Sequence, residues 1–371
     1  MSNKLAVALL ALGGSLIFSA IFYFLVIKPE SVELPDNVKI SELIHNQDQF
    51  LSFLKKRGVK YAMEKLIAES GGGSAFDCHQ QAHLIGRLGY KSEGSNVFAS
   101  CDYSCHSGCY HGAMESFLNE KGTANLAANI KGICDTFNIR FGIFECLHGI
   151  GHGLLAYFDY DLPAAIEECK KLNDDFAVNS CYGGLFMENI LTGQGLGAKE
   201  KGDHETKWVN KTDPQYPCDG IDKNFNIQFQ CYQMQTSWML TIFNHDFTKV
   251  AMECLKAPKE LIPVCYKSYG RDASGDSLRD PVKIKELCGK APPGDYRNQC
   301  AAGAVNVIID FWGPGLKNQA ADLCRILDEP EKNICYVTLT GRLKDLFNTK
   351  EERDKICQEF EEKYKDICLQ I

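Results

Sequence analysis

No run of lysine or arginine longer than Lys55-Lys56-Arg57 occurs in this 371-residue chain, whose 40 basic side chains are outnumbered by 48 acidic ones, for a net charge of −8. Holding a nucleic-acid backbone requires a basic face, so nucleic acid is excluded as a partner. The motifs H-E-x-x-H, G-x-S-x-G and G-x-x-x-x-G-K-[ST] are also missing. Zinc-protease, serine-hydrolase and P-loop chemistry therefore have no support in the sequence. With 45% hydrophobic and 24% charged residues, the chain has the profile of a folded protein rather than a disordered one.

A local absence concerns the N-terminus, where residues 5–27 contain no charged side chain. Twenty-three helical residues span roughly 34 Å, enough for a bilayer core of about 30 Å and longer than the apolar region of a cleaved signal. Lys4 precedes the segment, and Glu30, Glu33 and Asp36 follow it closely. The positive-inside rule then predicts a cytoplasmic stub at 1–4, a transmembrane signal-anchor at 5–27 and a linker at 28–40. The bulk of the chain would face the periplasm or the cell exterior. Eighteen cysteines, an even number, agree with an oxidising compartment.

Fourteen of these cysteines form a ruler. Cys134/Cys146, Cys169/Cys181, Cys218/Cys231, Cys254/Cys265, Cys288/Cys300, Cys324/Cys335 and Cys357/Cys368 are each separated by ten to twelve residues. Their first members recur at intervals of 35, 49, 36, 34, 36 and 33, so one repeat carries an insertion of about fourteen residues. Around each pair the pattern is helix, short polar break, helix, as in Leu162–Leu172, Asn173-Asp174-Asp175 and Cys181–Leu191. A unit near 35 residues is the length of a helical hairpin, as in tetratricopeptide-type solenoids, although the Trp/Leu/Gly/Tyr signature of those repeats is absent. The spacing also lacks the C-x2-4-C step of structural zinc sites, which favours one disulfide per hairpin. The predicted fold is all-α: disulfide-stapled helical hairpins in a solenoid, following one transmembrane helix.

Within that frame the expected organisation is a helical cap at 41–77, histidine-rich hairpins at 78–190, an insertion loop at 191–217 and C-terminal repeats at 218–371. Gly71-Gly72-Gly73-Ser74 breaks the cap. Aligning Cys109-Tyr-His-Gly with Cys146-Leu-His-Gly makes Cys109 the second member of a pair. Its partner is Cys101 or Cys105, and Cys78 takes the other; spacing alone does not choose. Tyr110, Tyr182, Tyr232, Tyr266 and Tyr336 directly follow hairpin cysteines, a regularity that marks them as packing residues.

Six of the nine histidines fall between residues 79 and 152. His79/His83, His111/Glu115 and His148/His152 are each spaced i,i+4, which puts both side chains of a pair on one helix face. The repeat register supplies a control. The second residue after the hairpin cysteine is His111 and His148, but then Gly183, Gln233, Lys267, Ala302 and Val337. The sixth is Glu115 and His152, then Met187, Ser237, Arg271, Asn306 and Gly341. Later hairpins do without these histidines, so the fold does not require them. His79, His83, His111, Glu115, His148 and His152 are the predicted metal ligands, with Glu115 or Glu188 as ligand or catalytic base. Imidazoles with a carboxylate suit zinc, copper or iron. Glycines at the helix starts (Gly112, Gly149, Gly151, Gly153, Gly183, Gly184) would let the helices approach closely.

Cys101-Asp-Tyr-Ser-Cys105-His106 has one residue too many for C-x-x-C-H haem attachment, which leaves His106 as a loop residue. Asn210-Lys-Thr212 is a glycosylation sequon in the insertion, beside His204, Glu205 and Trp208. The function expected is that of a membrane-anchored, extracytoplasmic metalloprotein, either a metal-dependent oxidoreductase or a hydrolase. The alternative is a non-catalytic solenoid scaffold whose concave face binds another envelope or extracellular protein.

Overall fold

The computed structural model describes residues 38–70, 76–105, 107–195, 206–312 and 319–371. The anchor at 5–27, most of the linker, the glycine break at 71–74, His106, and His204 and Glu205 of the insertion lie outside the described residues. Among the described residues every regular element is helical, and no helix is long and apolar enough to cross a membrane.

The first part consists of α1 (Ile40–Leu43), α2 (Gln47–Arg57), α3 (Val59–Glu69), α4 (Phe76–Glu93), α5 (Val97–Ser100) and α6 (Gly108–Lys121). Hairpins then alternate a short helix with a longer one. These are α7 (Leu126–Cys134) with α8 (Arg140–Tyr157), and α9 (Leu162–Cys169) with α10 (Asp175–Gly193). After the insertion come α11 (Phe225–Ile242), α12 (Phe247–Cys254) with α13 (Ile262–Asp276), and α14 (Pro281–Gly289) with α15 (Asp295–Trp312). α16 (Gln319–Ile326) with α17 (Glu331–Leu346), then α18 (Lys350–Cys357) with α19 (Glu362–Leu369), complete the chain.

All seven expected disulfides form, with Cα–Cα separations of 5.3–5.9 Å, and no described cysteine is free. In six of the seven pairs the bond joins one of the last three residues of the first helix to a cysteine inside the second. In the cap Cys101 bonds Cys109 and Cys78 bonds Cys105, which decides the alternatives left open by spacing. The tyrosines after the hairpin cysteines are all buried, as packing residues should be.

One turn recurs between hairpins. Asp159-Tyr160, Asn244-His245 and Leu278-Arg279 each place two residues in left-handed backbone. The second amide of each pair donates to a carbonyl five residues back, at 2.9 Å in all three. An aspartate follows (Asp161, Asp246, Asp280), and its side chain caps the next short helix. This turn reverses the chain so that the long helices stack side by side.

The long helices pack in the order α4, α6, α8, α10, α11, α13, α15, α17. An open solenoid of the tetratricopeptide type would leave its distant repeats apart. Here α17 returns to pack on α8. Asn348 donates to the Asn138 carbonyl at 2.9 Å, Arg140 lies 3.6 Å from Asp345, and the Arg342 guanidinium sits 5.7 Å over the Phe141 ring. The array therefore curls until its last full hairpins meet the first disulfide hairpin. Arg342 also pairs with Asp310 at 2.7 Å and Asp345 at 2.8 Å on the inner side of this closure.

Candidate metal centre

α4, α6, α8 and α10 carry the site, and glycine sets their spacing. A Cβ at Gly112 of α6 would lie 1.8 Å from the His83 carbonyl oxygen of α4. A Cβ at Gly184 of α10 would lie 1.9 Å from the His148 carbonyl oxygen of α8. Only glycine lets the backbones come this close. The α13–α15 pair does the same, with Gly303 against the Lys267 carbonyl, although it carries no histidine there. The glycine contact is thus a packing device of the repeat, and the histidines are a separate addition to it.

The five predicted histidines converge. Ring centroids lie 4.6 Å apart for His79 and His83, 5.2 Å for His83 and His111, 4.3 Å for His111 and His152, and 5.1 Å for His148 and His152. Two groups have nitrogens within 4.8 Å of one another: His79, His83 and His111, and His111, His148 and His152. His79 is half-buried, and the other four are at most 4% exposed.

Partners on the far side of the rings fix the tautomers. His83 Nδ1 lies 2.9 Å from Glu115 Oε1, and His152 Nδ1 lies 2.8 Å from Glu188 Oε2. A carboxylate only accepts, so each Nδ1 carries a proton, and in the neutral ring Nε2 is the nitrogen with a lone pair. His79 Nδ1 faces the Cys105 carbonyl at 2.8 Å, which fixes that ring the same way. The His79 and His83 Nε2 atoms face each other across 3.1 Å. Two nitrogens on a tetrahedral ion with bonds of 2.0–2.1 Å lie about 3.3 Å apart. His152 Nε2, His148 Nδ1 and both nitrogens of His111 are buried without a hydrogen-bond partner. Buried polar atoms are normally satisfied, so this concentration of lone pairs fits a cation. The bland reading, in which each histidine bonds a neighbouring carbonyl, holds for His79 with Cys105 and for one nitrogen of His148 with Ser180, and leaves His111 and the Nε2 of His152 unexplained.

The predicted carboxylates stand behind His83 and His152, on the Nδ1 side of each ring. Glu115 also accepts from Arg87 at 2.8 Å, and Glu188 accepts from Tyr160 Oη at 2.9 Å and Thr192 Oγ1 at 3.3 Å. Burial pushes both carboxyls up, but neighbouring groups win: Arg87 and His83 hold Glu115 below its usual range, and His152, His83 and Tyr160 hold Glu188 at about 2. Both are anions that orient histidines. Burial, followed by the neighbouring imidazoles, holds His111 and His148 well below the ordinary histidine value, so these rings are neutral and ready to ligate.

Three participants escaped the sequence reading. Glu145 is buried, with Oε2 3.9 Å from His111 Nε2, and burial raises its carboxyl to about 7. The repeat register would have found it: the residue before the hairpin cysteine is Glu145 in α8 but Gly108, Ser180, Gln230, Val264, Gln299, Ile334 and Ile367 elsewhere. Arg87 lies one turn beyond His83. Tyr160 reaches Glu188 because it stands in the left-handed turn after α8. The described part of the insertion is not a loose surface loop. Trp208 Nε1 donates to the Tyr160 carbonyl at 3.0 Å, and Asn189 of α10 donates to the Trp208 carbonyl at 2.8 Å. It braces the turn that holds Glu188.

No family model matches the chain, and no curated protein or solved structure matches it. The functional reading therefore rests on this geometry.

Proposed function

We propose that the protein is an extracytoplasmic metalloprotein that binds a transition metal through His79, His83, His111, His148 and His152. The observation that carries this reading is the pair of facing Nε2 atoms on His79 and His83, 3.1 Å apart, with each Nδ1 committed to an acceptor behind it. A metal there would be held by imidazole nitrogen and would supply redox or Lewis-acid chemistry; zinc, copper and iron suit such donors. Nine disulfides support an oxidising compartment, where thiolates do not compete for the metal. The uncharged run at 5–27 supports a membrane anchor with the folded part outside.

Of the two reaction classes, burial favours an oxidoreductase over a hydrolase. Hydrolysis brings a substrate bond to metal-bound water, whereas His79 is the one ligand here with appreciable exposure. Electrons and small oxidants reach a buried ion more readily than a polymer does. The test is metal analysis of chain purified from an oxidising compartment, beside the double variant His83→Ala/His152→Ala. Stoichiometric metal in the native chain, depleted in the variant, is expected. Folded native chain that takes up neither zinc, copper nor iron would overturn the reading.

A further inference from the structure

Resting on that reading, we propose that the centre is dinuclear and that His111 bridges its two ions, one through each ring nitrogen. His111 is the single residue common to both three-histidine groups. Both its nitrogens are buried without a hydrogen-bond partner, which neither a one-nitrogen ligand nor a packing histidine requires.

The topology places it correctly. α6 packs between α4, which carries His79 and His83, and α8, which carries His148 and His152. The Nε2–Cδ2 edge of the ring faces α8: Nε2 lies 3.9 Å from Glu145 Oε2, and Cδ2 would lie 3.3 Å from a Cβ at Gly149. Nε2 thus belongs with the α8 pair, and Nδ1 is left for the α4 pair.

The outer ligands are arranged with matching polarity. In each group one histidine is held from behind by a carboxylate, His83 by Glu115 and His152 by Glu188, so each ion receives one imidazole fixed by an anion. Binding a second ion breaks the remaining N–H bond of His111. The proton leaves to solvent, and the ring becomes an imidazolate with a metal on each nitrogen.

Copper(II) alone is the probe. The native full-length chain is titrated with copper(II), and bound metal is counted beside the low-temperature electron paramagnetic resonance signal. Two ions per chain are expected, with a signal that grows over the first equivalent and is largely lost over the second, as the bridge couples the two spins. His79→Ala/His83→Ala should hold one ion and keep an uncoupled signal; His111→Ala should lose the coupling whatever its residual binding. Saturation at one ion, or two ions with additive signals, would overturn the bridge while leaving the metalloprotein reading intact. No binding at all would remove both.

Discussion

His83 presents Nδ1 to Glu115 Oε1 at 2.9 Å, while Arg87 holds the other oxygen of the same carboxylate at 2.8 Å. This chain of contacts decides what Glu115 does. With both oxygens engaged, it orients the imidazole and turns Nε2 toward the other histidines, where a metal would be held. His152 and Glu188 repeat the relationship at 2.8 Å, with Tyr160 in the place of Arg87. Glu115, which the i,i+4 spacing suggests as a ligand or base, and Glu188, a candidate by its repeat register, stand behind histidine rings on the Nδ1 side.

Glu115→Gln and Glu188→Gln should therefore weaken metal affinity by about 10–100-fold each without changing the number of ions bound at saturation. Competition titration against a chelator of known affinity measures this. His152→Ala, by contrast, should remove capacity. A glutamine variant that loses a whole equivalent of metal would show that the carboxylate ligates directly.

Proton linkage gives a second test, in chelator-treated protein. His111 and His148 have folded pKa values well below their unfolded value of 6.5. As pH falls below 6.5 the unfolded chain takes up these protons first, so stability is lost. Glu145 runs the other way: its pKa is raised from 4.5 to about 7, so its contribution is full below 4.5 and lost as pH rises toward 7. Near pH 5.5 unfolding gains two protons on the histidines and releases one from Glu145. Stability should rise with pH there by about 1.4 kcal/mol per unit. Urea unfolding at several pH values measures the slope, and Glu145→Gln should roughly double it. A flat profile in both proteins would show that these rings are not buried as described.

Much of this architecture was legible because the cysteines act as a ruler. Their spacing located each hairpin, and the same register separated His111, His148 and His152, present in some repeats, from positions common to all. Three features had no such signal. The cap pairing depends on Cys105 and Ser107, both in left-handed backbone, a local geometry that spacing does not encode. Closure of the array depends on contacts such as Asn348 with Asn138, more than 200 residues apart, which leave no periodic trace. Tyr160 resembles any residue of an inter-hairpin turn until the turn is seen to aim its hydroxyl at Glu188.

The disulfides are expected to contribute stability without entering the site. Cys254→Ser/Cys265→Ser opens a loop with a sequence separation of 11 and should cost about 3 kcal/mol in the chain-entropy model. Metal content should be unchanged. Cys78→Ser/Cys105→Ser differs, because the Cys105 carbonyl holds His79 Nδ1 at 2.8 Å. That variant should lose affinity as well as stability, and metal analysis beside thermal melts separates the two effects.

The glycine contacts permit a matched comparison. Gly112→Ala drives a methyl into the His83 carbonyl, and Gly303→Ala drives one into the Lys267 carbonyl, each at 1.8 Å. Both force their helices apart and should destabilise by about 1–3 kcal/mol or more, since overpacking strains a close-packed interface. Only Gly112 lies between the elements that carry His83 and His111. Gly112→Ala should therefore reduce copper uptake at temperatures where the protein remains folded, while Gly303→Ala should keep full uptake at a similar loss of melting temperature. Equal uptake by both variants would mean that the α4–α6 spacing does not set the ligand geometry. The glycine would then serve packing alone, as it does between α13 and α15.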